Sequence, residues 1–188
     1  MWEEERMLKY LKGNLKEGRF RHSISVKDTA IKLAEIYGAD LEKAKIAALI
    51  HDCAKYVDIQ NMLNILEKYG DNNNKCFDIP AILHAPVGAY IAKDTMEVDD
   101  KDILNAITYH TTGRKNMSLL EKIIYLADYI EPFRSFPGVE DVRKLAYNGE
   151  LNKAMLLSFD NNIKYIVERG QILHKDTIEA RNYILCGE

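Results

Sequence analysis

The stretch Ile46-Ala47-Ala48-Leu49-Ile50-His51-Asp52-Cys53-Ala54-Lys55 runs an apolar segment straight into a histidine, an aspartate and a lysine. Asp40 opens the segment, and Ala44, Ala47-Ala48 and Ile50-His51 recur at three- and four-residue intervals, the spacing of one helix face. Adjacent helical side chains diverge by about 100°. An ion at the helix terminus is still within reach of both His51 and Asp52. Such a pair offers one imidazole nitrogen and a carboxylate whose two oxygens can bind two ions. Lys55 lies three residues beyond Asp52, on the same side of a helical turn.

Helical periodicity extends outward in both directions. Ile24, Thr29-Ala30, Leu33-Ala34 and Tyr37 form one face, stopped at Gly38. Asp58 opens a segment with Met62-Leu63, Ile65-Leu66 and Tyr69, stopped by Gly70. Further helices are expected from near His84 to Met96, and from Asp99-Asp100 to Gly113. Ser118-Leu119-Leu120-Glu121 has the form of a capping box and opens a helix through Ile130, ended by Pro132. Gly138–Tyr147, Leu151–Arg169 and Lys175–Cys186 complete the list, the last with a second capping-box pattern at Asp176-Thr177-Ile178-Glu179. None of the four prolines is expected to break a long periodic stretch, and Asp71-Asn72-Asn73-Asn74 reads as a surface loop. Sustained apolar–polar alternation is lacking. The expected fold is all-α: a single-domain helical bundle over 1–188 with nine or ten helices, its motif-bearing core at about 15–145 and C-terminal helices at 150–188.

Composition narrows the function classes. Of 188 residues, 47% are hydrophobic and 29% charged, which suits a packed globular domain. A net charge of −3 argues against a nucleic-acid coat or a polybasic membrane anchor. The run Ile46–Ile50 falls far short of the roughly 18 apolar residues a membrane helix needs. Met1-Trp2-Glu3-Glu4-Glu5-Arg6 is acidic where a signal peptide is basic and then apolar. A soluble cytoplasmic protein is expected, without nucleic-acid or membrane partners. Cys53, Cys76 and Cys186 are widely spaced with no CxxC, so no structural zinc knuckle is expected, and Cys53 reads as a small core residue.

The five histidines are unevenly placed. His22 follows Arg19-Phe20-Arg21; His51 precedes Asp52; His84 opens His84-Ala85-Pro86-Val87-Gly88; His110 ends a helix in Tyr109-His110-Thr111-Thr112-Gly113-Arg114. His174 stands apart and reads as surface. Asp128 interrupts the apolar Leu126-Ala127-Asp128-Tyr129-Ile130, where an ionised carboxylate needs a metal or a cationic partner such as Arg134. Taken singly, each of these has an ordinary explanation as a capping or core residue. In order, they do not.

The order His22, His51-Asp52, Asp128 on helices resembles the H…HD…D pattern of the HD superfamily of metal-dependent phosphohydrolases. With His84 and His110 included, the chain is most similar to its symmetrical dinucleoside tetraphosphate hydrolase branch, the YqeK type. Arg19–Ser23, His51–Lys55, Ile82–Ala89, Tyr109–Gly113, Tyr125–Pro132 and Arg134–Val139 carry that resemblance, which spans nearly the whole chain. Arg21 before His22 is a mild departure that adds charge near the site.

The resemblance implies an HD-type helical bundle with a buried metal site. His22, His51, Asp52 and Asp128 would hold one ion, and His84 and His110 a second, with Asp52 bridging. Imidazoles and carboxylates without thiolates suit iron, manganese, cobalt or zinc; the resemblance favours iron. It also implies a substrate: diadenosine tetraphosphate, split symmetrically into two ADP by a metal-bridging hydroxide. Two divalent ions and two aspartates leave a site of about +2, matched to a polyphosphate. Among catalytic and substrate-binding groups, Asp52, Lys55 and Arg114 are expected to act in catalysis. Lys55, Thr111, Thr112, Arg114, Arg134 and, more weakly, Arg19 are expected to bind phosphate. Tyr90, Tyr109, Tyr129, Phe133 and Phe136 are available to stack on a base. The rival readings are a phosphohydrolase of nucleoside mono- or diphosphates or of a cyclic dinucleotide, a dinuclear-iron oxygenase, and a helical nucleotide sensor. The unassigned C-terminal helices complete the core or build an interface such as that of a homodimer.

Overall fold

The computed structural model describes residues 1–71 and 80–187. Ten α-helices and no strand occur among them: α1 Glu4–Asn14, α2 Glu17–Tyr37, α3 Leu41–Ile50, α4 Ile59–Lys68, α5 Pro80–Met96, α6 Lys101–Thr108, α7 Leu119–Ile130, α8 Val139–Tyr147, α9 Leu151–Glu168 and α10 Lys175–Leu185. The Asn72–Asn74 loop expected from the sequence lies outside the described residues.

Local chemistry sets the helix starts. Asp40 accepts from the Lys43 N–H, Asp58 from Asn61, and Asp100 from Asp102 and Ile103. Each satisfies donors that an α-helix leaves free in its first turn. Ser118 and Glu121 form the reciprocal capping box that the sequence indicated. Gly38 ends α2 in the left-handed region at φ 70°.

The core follows from the apolar faces. Helix α2 packs on α3 and α7, and α6 packs on α3, α5 and α7. Leu33, Leu49, Ile50, Ile107, Ile123 and Ile124 are fully buried among them; burying each such side chain is worth about 1.5–3 kcal/mol. Cys53 is buried there too, as expected. A smaller cluster of Ala54, Met62, Leu66, Leu83 and Val87 lies beneath α4 and α5. The C-terminal helices complete the core: α9 packs on α7, α8 and α10. Phe159 of α9 is fully buried, its ring 4.8 Å from that of Tyr125.

Three local expectations are corrected. Helix α5 is already helical at Pro80, four residues before His84. Pro86 sits inside α5, and the helix runs on through it to Met96. Helix α6 ends at Thr108, with His110 in the following turn. The cap of α10 is His174, whose ring accepts from the Asp176 N–H; His174 is 4% exposed and not a surface residue. The amphipathic α1, with Met7 and Leu11 buried one turn apart, was not singled out by the sequence.

Candidate metal centre

Five elements converge on one carboxylate. Helix α2 presents Arg19 and His22, one turn apart and thus on one face. His51 is the C-cap of α3, and Asp52 follows in the turn. His84 comes from α5, His110 from the turn after α6, and Asp128 from α7. His22, His51, Asp52, His84 and His110 are all buried, and Asp128 is partly so.

The two oxygens of Asp52 face different partners. Oδ2 lies 2.7 Å from Arg19 Nη1, 3.3 Å from His51 Nε2 and 3.8 Å from His22 Nε2. Oδ1 lies 2.9 Å from His84 Nε2, 3.4 Å from Lys55 Nζ and 3.7 Å from His110 Nε2. On the far side, Asp128 Oδ1 is 3.0 Å from His22 Nε2 and 2.5 Å from Arg134 Nη2. Donor atoms of His22, His51 and Asp128, and again of His51, Asp52 and His110, all lie within 4.8 Å of one another.

The imidazoles are held by their other nitrogens. Nδ1 of His51 bonds the Ala48 carbonyl at 2.6 Å, and Nδ1 of His110 the Ile107 carbonyl at 2.7 Å. Nδ1 of His22 meets Glu131 Oε1 at 3.0 Å. A carbonyl or carboxylate can only accept, so in each case Nδ1 carries the proton and Nε2 keeps its lone pair. Those lone pairs point at the cluster. His22 Nε2, His51 Nε2 and Asp52 Oδ1 make no well-directed hydrogen bond although all three are buried. Crowding buried acceptors in this way is costly unless a cation sits between them. The donor set fits a divalent transition-metal ion.

Electrostatics agree. Burial opposes ionisation of Asp52, yet His51, His110 and His84 hold its carboxyl well below the usual range. Burial likewise opposes ionisation of Asp128, and His22 and Arg134 overcome it. Burial pushes His110 down to about 4, which keeps its imidazole neutral and ready to ligate. His51 moves the other way: burial lowers its pKa, but the charges of Asp52 and Asp128 win and raise it.

The remaining expected residues divide. Lys55 Nζ is 3.1 Å from His84 Nε2 and reaches the cluster. Arg19 and Arg134 reach it through Asp52 and Asp128. Arg114 is committed elsewhere: its guanidinium pairs with the buried Glu121, at 2.7 Å from Nη2 and 3.0 Å from Nε. That fork ties the loop after His110 to the start of α7. Gly113 in the same loop has φ 65°, and a Cβ there would stand 2.7 Å from the Phe159 ring. Thr111 and Thr112 line a separate cavity of about 330 Å³ with Asp71, Tyr109, His174 and Asp176. The Thr112 hydroxyl donates to the Gly113 carbonyl.

Glu131, beneath His22, was missed from the sequence. It is 1% exposed and also accepts from the Phe133 N–H at 2.8 Å. Its one sequence signal was its place three residues after Asp128, a turn further along the same helix face.

The profile of the HD domain matches residues 19–132, which takes in every ligand candidate above. The chain belongs to the HD-domain family. A protein of Halalkalibacterium halodurans named symmetrical bis(5'-nucleosyl)-tetraphosphatase is 46% identical, covering 95% of both chains. The Bacillus subtilis protein of the same name is 44% identical, covering 97% of this chain and 98% of its own. The crystal structure of a predicted HD superfamily hydrolase involved in NAD metabolism, from Clostridium acetobutylicum, superposes with a TM-score of 0.90 at 48% identity over the whole of both chains. HD-domain membership and the His/Asp cluster together indicate dependence on a divalent metal. No helix among the described residues is long and apolar enough to cross a membrane.

Proposed function

We propose that this HD-domain protein hydrolyses dinucleoside tetraphosphates symmetrically, taking diadenosine tetraphosphate and one water to two ADP. The observation that carries the reading is the divided carboxylate of Asp52. One oxygen is directed at the His22–His51 side and the other at the His84–His110 side. That division supports two ion positions: His22, His51 and Asp128 would hold one ion and His84 and His110 the other, with one Asp52 oxygen available to each. Near-full-length similarity to two proteins named symmetrical tetraphosphatases supports the substrate. The donor chemistry admits iron, manganese, cobalt or zinc, and we take iron as the working assignment.

Divalent ions in such a site supply Lewis acidity and lower the pKa of a water. The protein's own groups do the rest. His22, His51 and His110, each held at Nδ1, present Nε2 to the cluster and cannot turn away. Lys55 Nζ, within 3.4 Å of Asp52, places a positive charge at the edge of the cluster, where charge grows on a departing phosphate oxygen. Arg19 and Arg134 hold the ligand aspartates and line the groove through which a phosphate chain reaches them. The apolar packing of α3, α6 and α7 beneath the cluster keeps bulk water from its floor.

Protein purified without oxygen or chelator is incubated with diadenosine tetraphosphate, the products are separated chromatographically, and metal content is read on the same sample. ADP as the only product, with about two metals per chain, is expected. ATP plus AMP would overturn the symmetrical cut. One metal per chain with full turnover would overturn the paired ion positions.

A further inference from the structure

A second feature adjoins the cluster. A groove of about 460 Å³ opens beside His22. Its lining includes Lys16, Arg19, Tyr56, Glu131, Phe133 and Arg134. Tyr56 is 46% exposed and Phe133 61% exposed. Large exposed aromatics forgo hydrophobic stabilisation that burial would give. Both are carried by segments that also carry metal-ligand candidates: Tyr56 follows Asp52 by four residues and Phe133 follows Asp128 by five.

Cations accompany each ring. Lys16 Nζ stands 4.9 Å from the centroid of the Tyr56 ring, and the Arg21 guanidinium 5.2 Å from that of Phe133. The groove thus pairs exposed π-faces with positive charge, the combination that takes a base and its phosphates together. Its lining holds three cations to one carboxylate; Arg19 and Arg134 are shared with Asp52 and Asp128, and Glu131 with His22 and the Phe133 N–H. The separate cavity at Thr111 and Thr112 holds one cation, Lys175, to two carboxylates, Asp71 and Asp176. An anionic phosphate chain is therefore drawn to the first and repelled by the second.

We infer that the Tyr56–Phe133 groove is the nucleoside subsite for one half of the substrate. A purine stacks on these rings, and its diphosphate runs past Lys16, Arg19 and Arg134 to the cluster. This rests on the dinucleotide reading above and names the residues that would recognise one base.

The test uses metal-loaded full-length protein and two probes, ADP and inorganic pyrophosphate, whose dissociation constants are measured by calorimetry. The variants are Tyr56→Leu and Phe133→Leu, with Tyr165→Leu as a control, an equally exposed ring on α9 outside the groove. The two groove variants are expected to weaken ADP about tenfold and to move pyrophosphate by less than about twofold, because only ADP has a base to stack. Thermal melts of all three should match the unsubstituted protein, since the side chains are exposed. Unchanged ADP affinity, or equal weakening of ADP and pyrophosphate, would overturn the subsite. Failure of the unsubstituted protein to convert diadenosine tetraphosphate to ADP would instead overturn the substrate reading, whatever the rings do to ADP binding.

Discussion

Replacing Glu131 by glutamine should weaken metal binding without touching a ligand. The carboxylate is buried and divides its two oxygens between His22 Nδ1 at 3.0 Å and the Phe133 N–H at 2.8 Å. Both partners donate, and glutamine has a single carbonyl oxygen to offer them. If that oxygen stays on Phe133, the amide NH2 faces His22 Nδ1. The imidazole must then carry its proton on Nε2, where the ion would bind. If the oxygen stays on His22, two donors collide at Phe133 and a charge-assisted bond worth about 1.5–3 kcal/mol is lost. In the unsubstituted protein burial opposes ionisation of Glu131, but bonds from Phe133, Ser25 and His22 overcome it and hold the carboxyl below its usual range, so the change also removes a negative charge. Removing an outer-shell partner of this kind typically lowers metal affinity about 10- to 100-fold, which is about 1.4–2.7 kcal/mol. Competition with a chromophoric chelator measures that affinity directly, and circular dichroism checks that the helices persist. A folded variant with unchanged metal affinity would refute the claim that Glu131 orients His22.

Asp52→Ala should remove both metal occupancy and turnover, whereas His84→Ala or His110→Ala should leave one ion bound; elemental analysis beside a rate assay distinguishes the cases. Gly113→Ala should cost about 2–4 kcal/mol, combining a left-handed backbone with overlap on the Phe159 ring. That would lower Tm by roughly 5–10 °C, and an unchanged melt would show that the loop can yield. Metal affinity should fall as pH drops from about 7 to about 5.5, because ligating imidazoles must be unprotonated. Asp52 and Asp128 raise the pKa of His51, which adds to that loss. An affinity constant across that range would contradict the ligand set.

The parts of this molecule that were legible are those written in period and order. Asp40, Asp58, Asp100 and Ser118 cap helices where their spacing said they would. His22, His51, Asp52, His84, His110 and Asp128 meet although more than a hundred residues separate the first from the last. Pairings between distant side chains were less visible. Arg114 follows a ligand candidate and reads as a phosphate binder, but the buried Glu121 claims it. Glu121 showed in the sequence only as the last residue of a capping box. His174 looked isolated because its burial depends on how α10 docks against α9, and no local pattern records that.

The anchoring of His51 and His110 through Ala48 and Ile107 bears on how such a site is inherited. Both anchors are main-chain carbonyls from the last turn of the ligand's own helix, three residues back. An α-helix leaves its final carbonyls without internal partners, so the anchor exists whatever side chains stand at 48 and 107. No substitution there can delete it, and transplanting either histidine to another scaffold needs only a helix that stops in the right place. His22 has no such insurance. Its orientation depends on a side chain 109 residues away, so drift at position 131 would be felt at position 22, and a designer copying this centre must carry the two as a pair.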